Sequence, residues 1–502
     1  MYLKRLLGMG AICFGLFAAS TCFEKNVYAE EFEINEVNIP DESLRESLAI
    51  YDLNKDGKIS DEENSEATEV SVRAKDNLKG LELFKNINGL RILYSSNDVT
   101  VPEIPGVKEI RVNFDCKDAK LKFDKNDSVE EIICNCSYYG YFNSVDISNL
   151  VNIKQLAIHN TEIESLDLSN NLKLEKIWVS GNALKELIIP EGMPLNELDC
   201  SGNKLTKLEI AKETPLVVLD CSYNNLTQVD FSGLDMLESL NIEDNKVDFN
   251  NIKFNKDSIK NLKVNFLKNK NYVVKNFKNL ESLNVYTKKS KKITISNCKK
   301  LKNLSVGFNK LNSFAVKKCN SLKDVDLTGS IKNINISGKK VKSIILAYNK
   351  SKLKKFKLNT PKLEELFVER NKITSLDVSK FKNLKYLDCS YNKLTKLDVS
   401  KNKKLQTLKC QFNKLSTIDV RNCKKLKELY AYGNNIKKID VTNNKKIKIA
   451  NNYVGGDIDL YQSDVITVKH TKIVKENGRR YLVFADLKKY KKLKKMVDED
   501  ND

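Results

Sequence analysis

The segment DLNKDGKISDEE, from Asp52 to Glu63, spaces oxygen-bearing residues as a hard divalent cation requires. Asp52, Asn54 and Asp56 stand at positions 1, 3 and 5 of a twelve-residue loop, and Gly57 permits the sharp turn at position 6. Lys58 offers its main-chain carbonyl at position 7, Ser60 stands at position 9, and Glu63 supplies two carboxylate oxygens at position 12. This donor set suits calcium. The competing reading is an acidic helix-turn-helix that holds no metal. Other chemistry is poorly supplied. The only histidines, His159 and His470, lie more than 300 positions apart, which disfavours imidazole-based metal sites and catalytic triads. No G-x-S-x-G, H-E-x-x-H, Gly-rich phosphate loop or paired Cys-x-x-Cys is present. Acids such as Asp199, Asp220 and Asp388 recur with a repeat, which explains them more simply than a glycosidase pair does. The expectation is a protein that is not an enzyme.

Two short helices must hold such a loop: Ser43 to Tyr51 reads as the entering one and Glu62 to Glu66 as the start of the exiting one, with Ile59 in the bridge that paired loops form. The loop resembles that of the EF-hand. Only one complete copy is visible, so cooperative switching is not expected and the role implied is structural, covering the apolar end of a repeat array.

The chain beyond this loop is periodic. LDCSGNKLTKLEI from Leu198, LDCSYNNLTQVDF from Leu219, LDCSYNKLTKLDV from Leu387 and LKCQFNKLSTIDV from Leu408 share one template with a period of 21 residues. Its asparagine recurs at Asn182, Asn203, Asn224 and Asn245, and again at Asn371, Asn392, Asn413 and Asn434. Weaker copies lie between these blocks and upstream. Alternating residues such as Leu387 and Cys389 point inward, so each copy forms one short parallel strand that cannot bury its apolar face alone. The asparagine amide is expected to satisfy main-chain groups where the chain leaves the strand. Cysteines at the strand position read as small buried hydrophobes.

The pattern resembles the 21-residue class of leucine-rich repeats in exported bacterial proteins, internalin-like in having an EF-hand-like helical cap ahead of the repeats. The resemblance implies a β-rich solenoid with parallel strands on the concave face and short strands or extended segments on the back. About sixteen coils at roughly 4.8 Å each make a rod or arc on the order of 75 Å. It also implies adhesion or host interaction through a protein partner, with a role in virulence.

Outward positions of successive strands are read as Trp178, Tyr223, Phe266, Tyr286, Phe308, Tyr348, Phe367, Tyr386, Tyr391, Phe412, Tyr430 and Tyr432. The cluster Tyr348, Phe367, Tyr386, Tyr391, Phe412, Tyr430 and Tyr432 is the expected partner-binding face, since aromatics give large contact area at small entropic cost. The alternative for Tyr391 and Phe412 is a structural stack. A second surface is basic: Lys299-Lys300, Lys317-Lys318, Lys403-Lys404, Lys424-Lys425 and Lys445-Lys446 suggest either a solvated face or a track for an anionic polymer such as teichoic acid or glycosaminoglycan. No base-reading motif accompanies it, so sequence-specific nucleic-acid binding is not expected.

The chain has 502 residues and a formal charge of +20, which divides into +2 over residues 1–29, −9 over 30–88 and +27 over 89–502. Residues 1–29 read as a signal peptide, with Lys4 and Arg5 before an apolar run and Val27-Tyr28-Ala29 before a start at Glu30. An uncleaved anchor and lipidation at Cys22 are the alternatives. The reading is therefore a secreted protein, extracellular or loosely held at the surface, with no membrane span in the mature chain. Residues 30–88 form the cap, 89–468 the solenoid, and 469–502 a hairpin around Asn477-Gly478 followed by a charged tail.

Overall fold

The computed structural model describes residues 31–94, 98–114, 119–136, 142–347, 353, 355–447, 471–476 and 479–484. Its backbone winds as a parallel β-solenoid of the leucine-rich repeat type. Among the described residues, eighteen strands form one parallel ladder, from Glu69–Ala74 to Glu428–Tyr430. In the regular coils the register advances by one repeat at a time: Leu366 faces Leu387, Leu387 faces Leu408, and Leu408 faces Leu429. Parallel strands need a crossover, and here each crossover is the rest of the same coil.

The alternation of the template explains the core. Leu387, Cys389, Leu394, Val399 and Leu405 of one coil are fully buried, and each large aliphatic side chain so placed contributes about 1.5–3 kcal/mol. The back of the solenoid is irregular. It carries short parallel strands at Glu186–Ile189 and Lys207–Ile210, and longer ones at Asn271–Lys275 and Lys292–Ser296. Asn303–Lys317 and Asp324–Ser337 run continuously through front and back, joining the two sheets.

Helix α1 (Glu42–Leu48) continues into a 3₁₀ turn at Ala49–Tyr51, and α2 (Asp61–Glu66) comes after the acidic loop. Asp41 caps α1 through Leu44 N–H and also accepts N–H bonds from Lys75, Asp76 and Asn77. That buried carboxylate ties the helix to the chain that has just left the first strand. Asn64 ties α2 likewise, donating to Leu83 O at 3.0 Å and accepting from Lys85 N. The strand bridge at Lys58–Ile59 pairs antiparallel with Phe32–Glu33 of the same chain. A single loop thus completes its bridge without a second loop.

At the other end, Thr471–Glu476 and Arg479–Phe484 form the expected antiparallel hairpin, which also pairs with Lys438–Asp440. The predicted signal peptide and C-terminal tail lie outside the described residues. No helix among the described residues is long and apolar enough to cross a membrane.

Candidate functional site

Each regular coil leaves its strand through one tight corner. The residue before the asparagine has positive φ throughout: Gly181 (71°), Gly202 (64°), Tyr223 (53°), Asp244 (50°), Arg370 (56°), Tyr391 (53°), Phe412 (53°) and Gly433 (64°). Bulky side chains are rare in this region of backbone space. The next residue, the asparagine, holds the corner. Asn392 Nδ2 donates to Val368 O at 2.8 Å and Cys389 O at 3.1 Å, while its Oδ1 accepts from Asn371 N and Ile373 N of the preceding coil. Asn203, Asn224, Asn245, Asn413 and Asn434 make the same inter-coil donation. Glycine and aspartate in the column of Tyr391 and Phe412 are the sequence signal for this conformation.

The corner and the strand face together build an aromatic patch over the last regular coils. Phe367 and Tyr386 are half-buried on the outward side of their strands and stack with centroids 4.7 Å apart. Lys409 lies between two tyrosines, its Nζ 5.5 Å from the Tyr386 ring and 5.7 Å from the Tyr430 ring, and approaches Asp388 at 4.0 Å. Burial lowers the lysine pKa, but Tyr386 and Asp388 outweigh it and the ammonium is held above its ordinary value. Arg370 covers Tyr391 at 4.7 Å. Tyr391 stacks on Phe412 at 4.6 Å, and Phe412 meets Tyr432 edge-on at 5.3 Å. Such cation–ring contacts contribute about 0.5–1 kcal/mol each at exposed sites and fix the orientation of large, stiff side chains. Beside them Glu369 has a buried Oε2 with no hydrogen-bond partner, and burial raises its pKa.

The structure corrects part of the outward-facing set. Phe412 and Tyr432 are only 4% and 5% exposed, so they support the patch from beneath instead of presenting a surface. Phe266 and Phe308 are 0% and 4% exposed. They share parity with the inward residues Val264 and Val306, and in these coils the extended chain does not turn early enough to release them. Trp178 and Tyr286 are half-buried and Tyr223 is exposed. Tyr348 lies outside the described residues. Lys409 and Arg370, absent from the sequence-based set, occupy the same columns as Tyr430 and Tyr391.

The acidic loop is wound by its own side chains. Asp52 accepts from Asp56 N and Gly57 N, Asn54 Oδ1 from Asp56 N, and Asp56 Oδ1 from Lys58 N. Gly57 takes φ 83° with open space around its Cα. These donor types and this winding fit calcium. Glu63 is turned elsewhere, accepting from Leu53 N and Asn54 N on one oxygen and from Ser60 N and Oγ on the other. The Ser60 main-chain and hydroxyl donors, with those of Asn54 and Leu53, hold its carboxyl down to about 2. As the side chains stand, no three Asp, Glu, His or Cys residues among the described ones converge as metal ligands.

On the opposite edge, Lys403, Lys424 and Lys445, with Lys404, Lys425 and Lys446, are exposed at matching positions beside the buried Asn402, Cys423 and Asn444. Lys299-Lys300 come after Cys298 in the same way, whereas Lys317-Lys318 precede Cys319 and fall out of that register. Cys200, Cys221, Cys298, Cys319, Cys389, Cys410 and Cys423 are buried free thiols, and Cys134 is buried as well. Burial pushes the Cys410 thiol up to about 12.

The family model for leucine-rich repeats (two copies) matches residues 361–402. Comparison with curated protein sequences gives no significant match. Among solved structures, the chain is similar to a leucine-rich repeat protein of Leptospira interrogans, with 19% identity over 66% of this chain and 85% of that one and a TM-score of 0.44. It is similar to the functional domain of InlJ from Listeria monocytogenes, with 20% identity over 84% and 79% and a TM-score of 0.43. It is also similar to YopM from Yersinia enterocolitica, with 17% identity over 81% and 92% and a TM-score of 0.45.

Proposed function

We propose that this chain is a secreted, non-enzymatic binding protein that captures a protein partner through Phe367, Tyr386, Lys409 and Tyr430, with Tyr391 and Arg370 at the rim. The carrying observation is that these half-buried rings are braced by Lys409, Arg370 and the buried Phe412 and Tyr432. A pre-organised aromatic surface loses little entropy when a partner covers it. Adhesion or host interaction rests on the internalin-like repeat and cap. In the same proposal the cap takes calcium at Asp52, Asn54, Asp56, the Lys58 carbonyl, Ser60 and Glu63, and Glu63 exchanges its four N–H and O–H donors for the metal. Tyr386→Ala with Tyr430→Ala tests the partner surface: capture should fall with melting temperature unchanged.

A second reading, an anionic wall or host polymer on the lysine edge, is favoured by six lysines stacked in register. Such binding is dominated by charge and should collapse as ionic strength rises. The aromatic substitutions should leave it intact.

A further inference from the structure

The strand face of the middle coils has a chemistry of its own. A shallow groove of about 440 Å³ crosses it, lined by the short polar side chains Ser239, Asn261, Ser282, Asn284, Asn303 and Ser305 together with aliphatic residues, of which Ile345 is half-buried and Leu262, Leu283, Leu304 and Val325 belong to the core. Lys263, Asp324 and Asp326 are the charged residues of the lining, so the groove carries almost no net charge within a strongly basic solenoid. Among the described residues, the side chains of those six make no hydrogen bond. Elsewhere on the same face, comparable positions pair across coils: Asn241 Nδ2 donates to Asp220 at 2.7 Å, and Trp178 Nε1 to Glu197 at 3.0 Å. The middle coils therefore offer a row of unengaged hydroxyl and amide groups.

Beside this row lies a platform. Tyr286 is half-buried, two residues beyond Asn284, and its ring passes over Gly307 of the next coil. A Cβ at position 307 would stand 3.0 Å from the ring, so glycine there lets the tyrosine lie close to the sheet.

We propose that this groove binds a linear neutral oligosaccharide. Serine hydroxyls and asparagine amides act as both donors and acceptors, matching a chain of sugar hydroxyls, and the tyrosine face suits the apolar side of a pyranose. Coils stack roughly 4.8 Å apart, near the length of one sugar unit, so successive coils meet successive units. A polyanion is opposed by Asp324 and Asp326. A protein is less well served, because beyond Ile345 and the neighbouring Tyr286 the outward side chains are short and polar or charged and supply no cluster of anchors. The site shares no residue with the patch at 367–432, so each stands or falls separately.

Isothermal titration of the full chain with N-acetylated chitohexaose and with cellohexaose, and with a heparin hexasaccharide as the anionic comparison, tests this. One of the neutral chains should bind, with affinity reduced about tenfold or more in Asn284→Ala/Asn303→Ala and in Tyr286→Ala. Phe367→Ala/Tyr386→Ala should bind it as the wild type does. Ser282→Ala/Ser305→Ala, assayed in parallel, should show the same loss and keeps the test valid if either of the first two variants melts early. Binding of heparin alone, of neither neutral chain at millimolar concentration, or of a neutral chain undiminished in properly folded groove variants, overturns the proposal.

Discussion

Asn392→Ala removes one rung of the asparagine ladder. Its consequence can be worked from the contacts. Asn392 is 7% exposed. Its Oδ1 is the acceptor for Ile373 N at 2.9 Å and Asn371 N at 3.1 Å, and its Nδ2 serves Val368 O, Cys389 O and Ser390 O. Alanine strands at least the two N–H groups in a space too enclosed for easy hydration. At about 1–3 kcal/mol for each unsatisfied buried group, the loss should be roughly 2–6 kcal/mol. In a repeat array each coil contacts only its neighbours, so this loss should appear locally and unfolding need not stay two-state. Hydrogen exchange read by mass spectrometry should show protection falling across residues 365–413 and unchanged near Asn203. Urea unfolding should shift in parallel. Asn392→Asp should be worse than alanine above about pH 4, because it replaces a donor facing three carbonyls with a charged oxygen. If Asn392→Ala loses less than about 1 kcal/mol and leaves exchange at Asn371 and Ile373 unaltered, the ladder does not hold the corners.

Phe412→Ala should cost about 3–5 kcal/mol in denaturant unfolding, as truncation of a buried ring does. Gly433→Ala should also destabilise, since its φ is 64° and a Cβ there would stand 2.6 Å from Phe412 Cδ1. Burial raises the Asp41 pKa, but the N–H groups of Asp76, Leu44, Lys75 and Asn77 outweigh it and hold the carboxyl below its usual value. The stability it contributes is therefore complete above its unfolded pKa of about 3.9 and is lost as pH falls through the folded value. Asp41→Asn should lower cap stability at neutral pH and flatten its loss in acid, measured by exchange at Glu42–Leu48. Calcium should raise the melting temperature of the wild type and leave that of Glu63→Gln unmoved; a chelator without effect on the wild type would contradict the calcium-bound cap.

The fold was legible because a 21-residue period, a constant inward parity and one asparagine per coil all impose the same geometry. Leu387 and Cys389 had to face inward together, and Asn392 had to serve two coils. Phe367, Tyr386 and Tyr430 were legible as surface residues for the same reason. Tyr391, Phe412, Phe266 and Phe308, read from the sequence as outward, share the parity of the inward residues, and only the point at which the chain turns decides their exposure. A positive-φ corner brings Tyr391 half out. Phe412 turns identically but is covered by Tyr391 and Tyr432 on either side. Phe266 and Phe308 sit where the extended strand carries them inward. The cation partners Lys409 and Arg370 were hidden because column neighbours 21 residues apart meet only once the register is known. The polar groove was hidden too, since serine and asparagine at outward positions look like ordinary solvated surface until their lack of partners is seen.

The most direct test of the proposed function is quantitative capture from a cell-surface protein extract by immobilised wild type and by the Phe367→Ala/Tyr386→Ala/Tyr430→Ala variant, at low and at physiological salt. Specific protein capture that persists at physiological salt and falls at least tenfold in the variant, at equal melting temperature, is the predicted result. Equal capture by the two chains, or capture that vanishes with salt regardless of the rings, would contradict it.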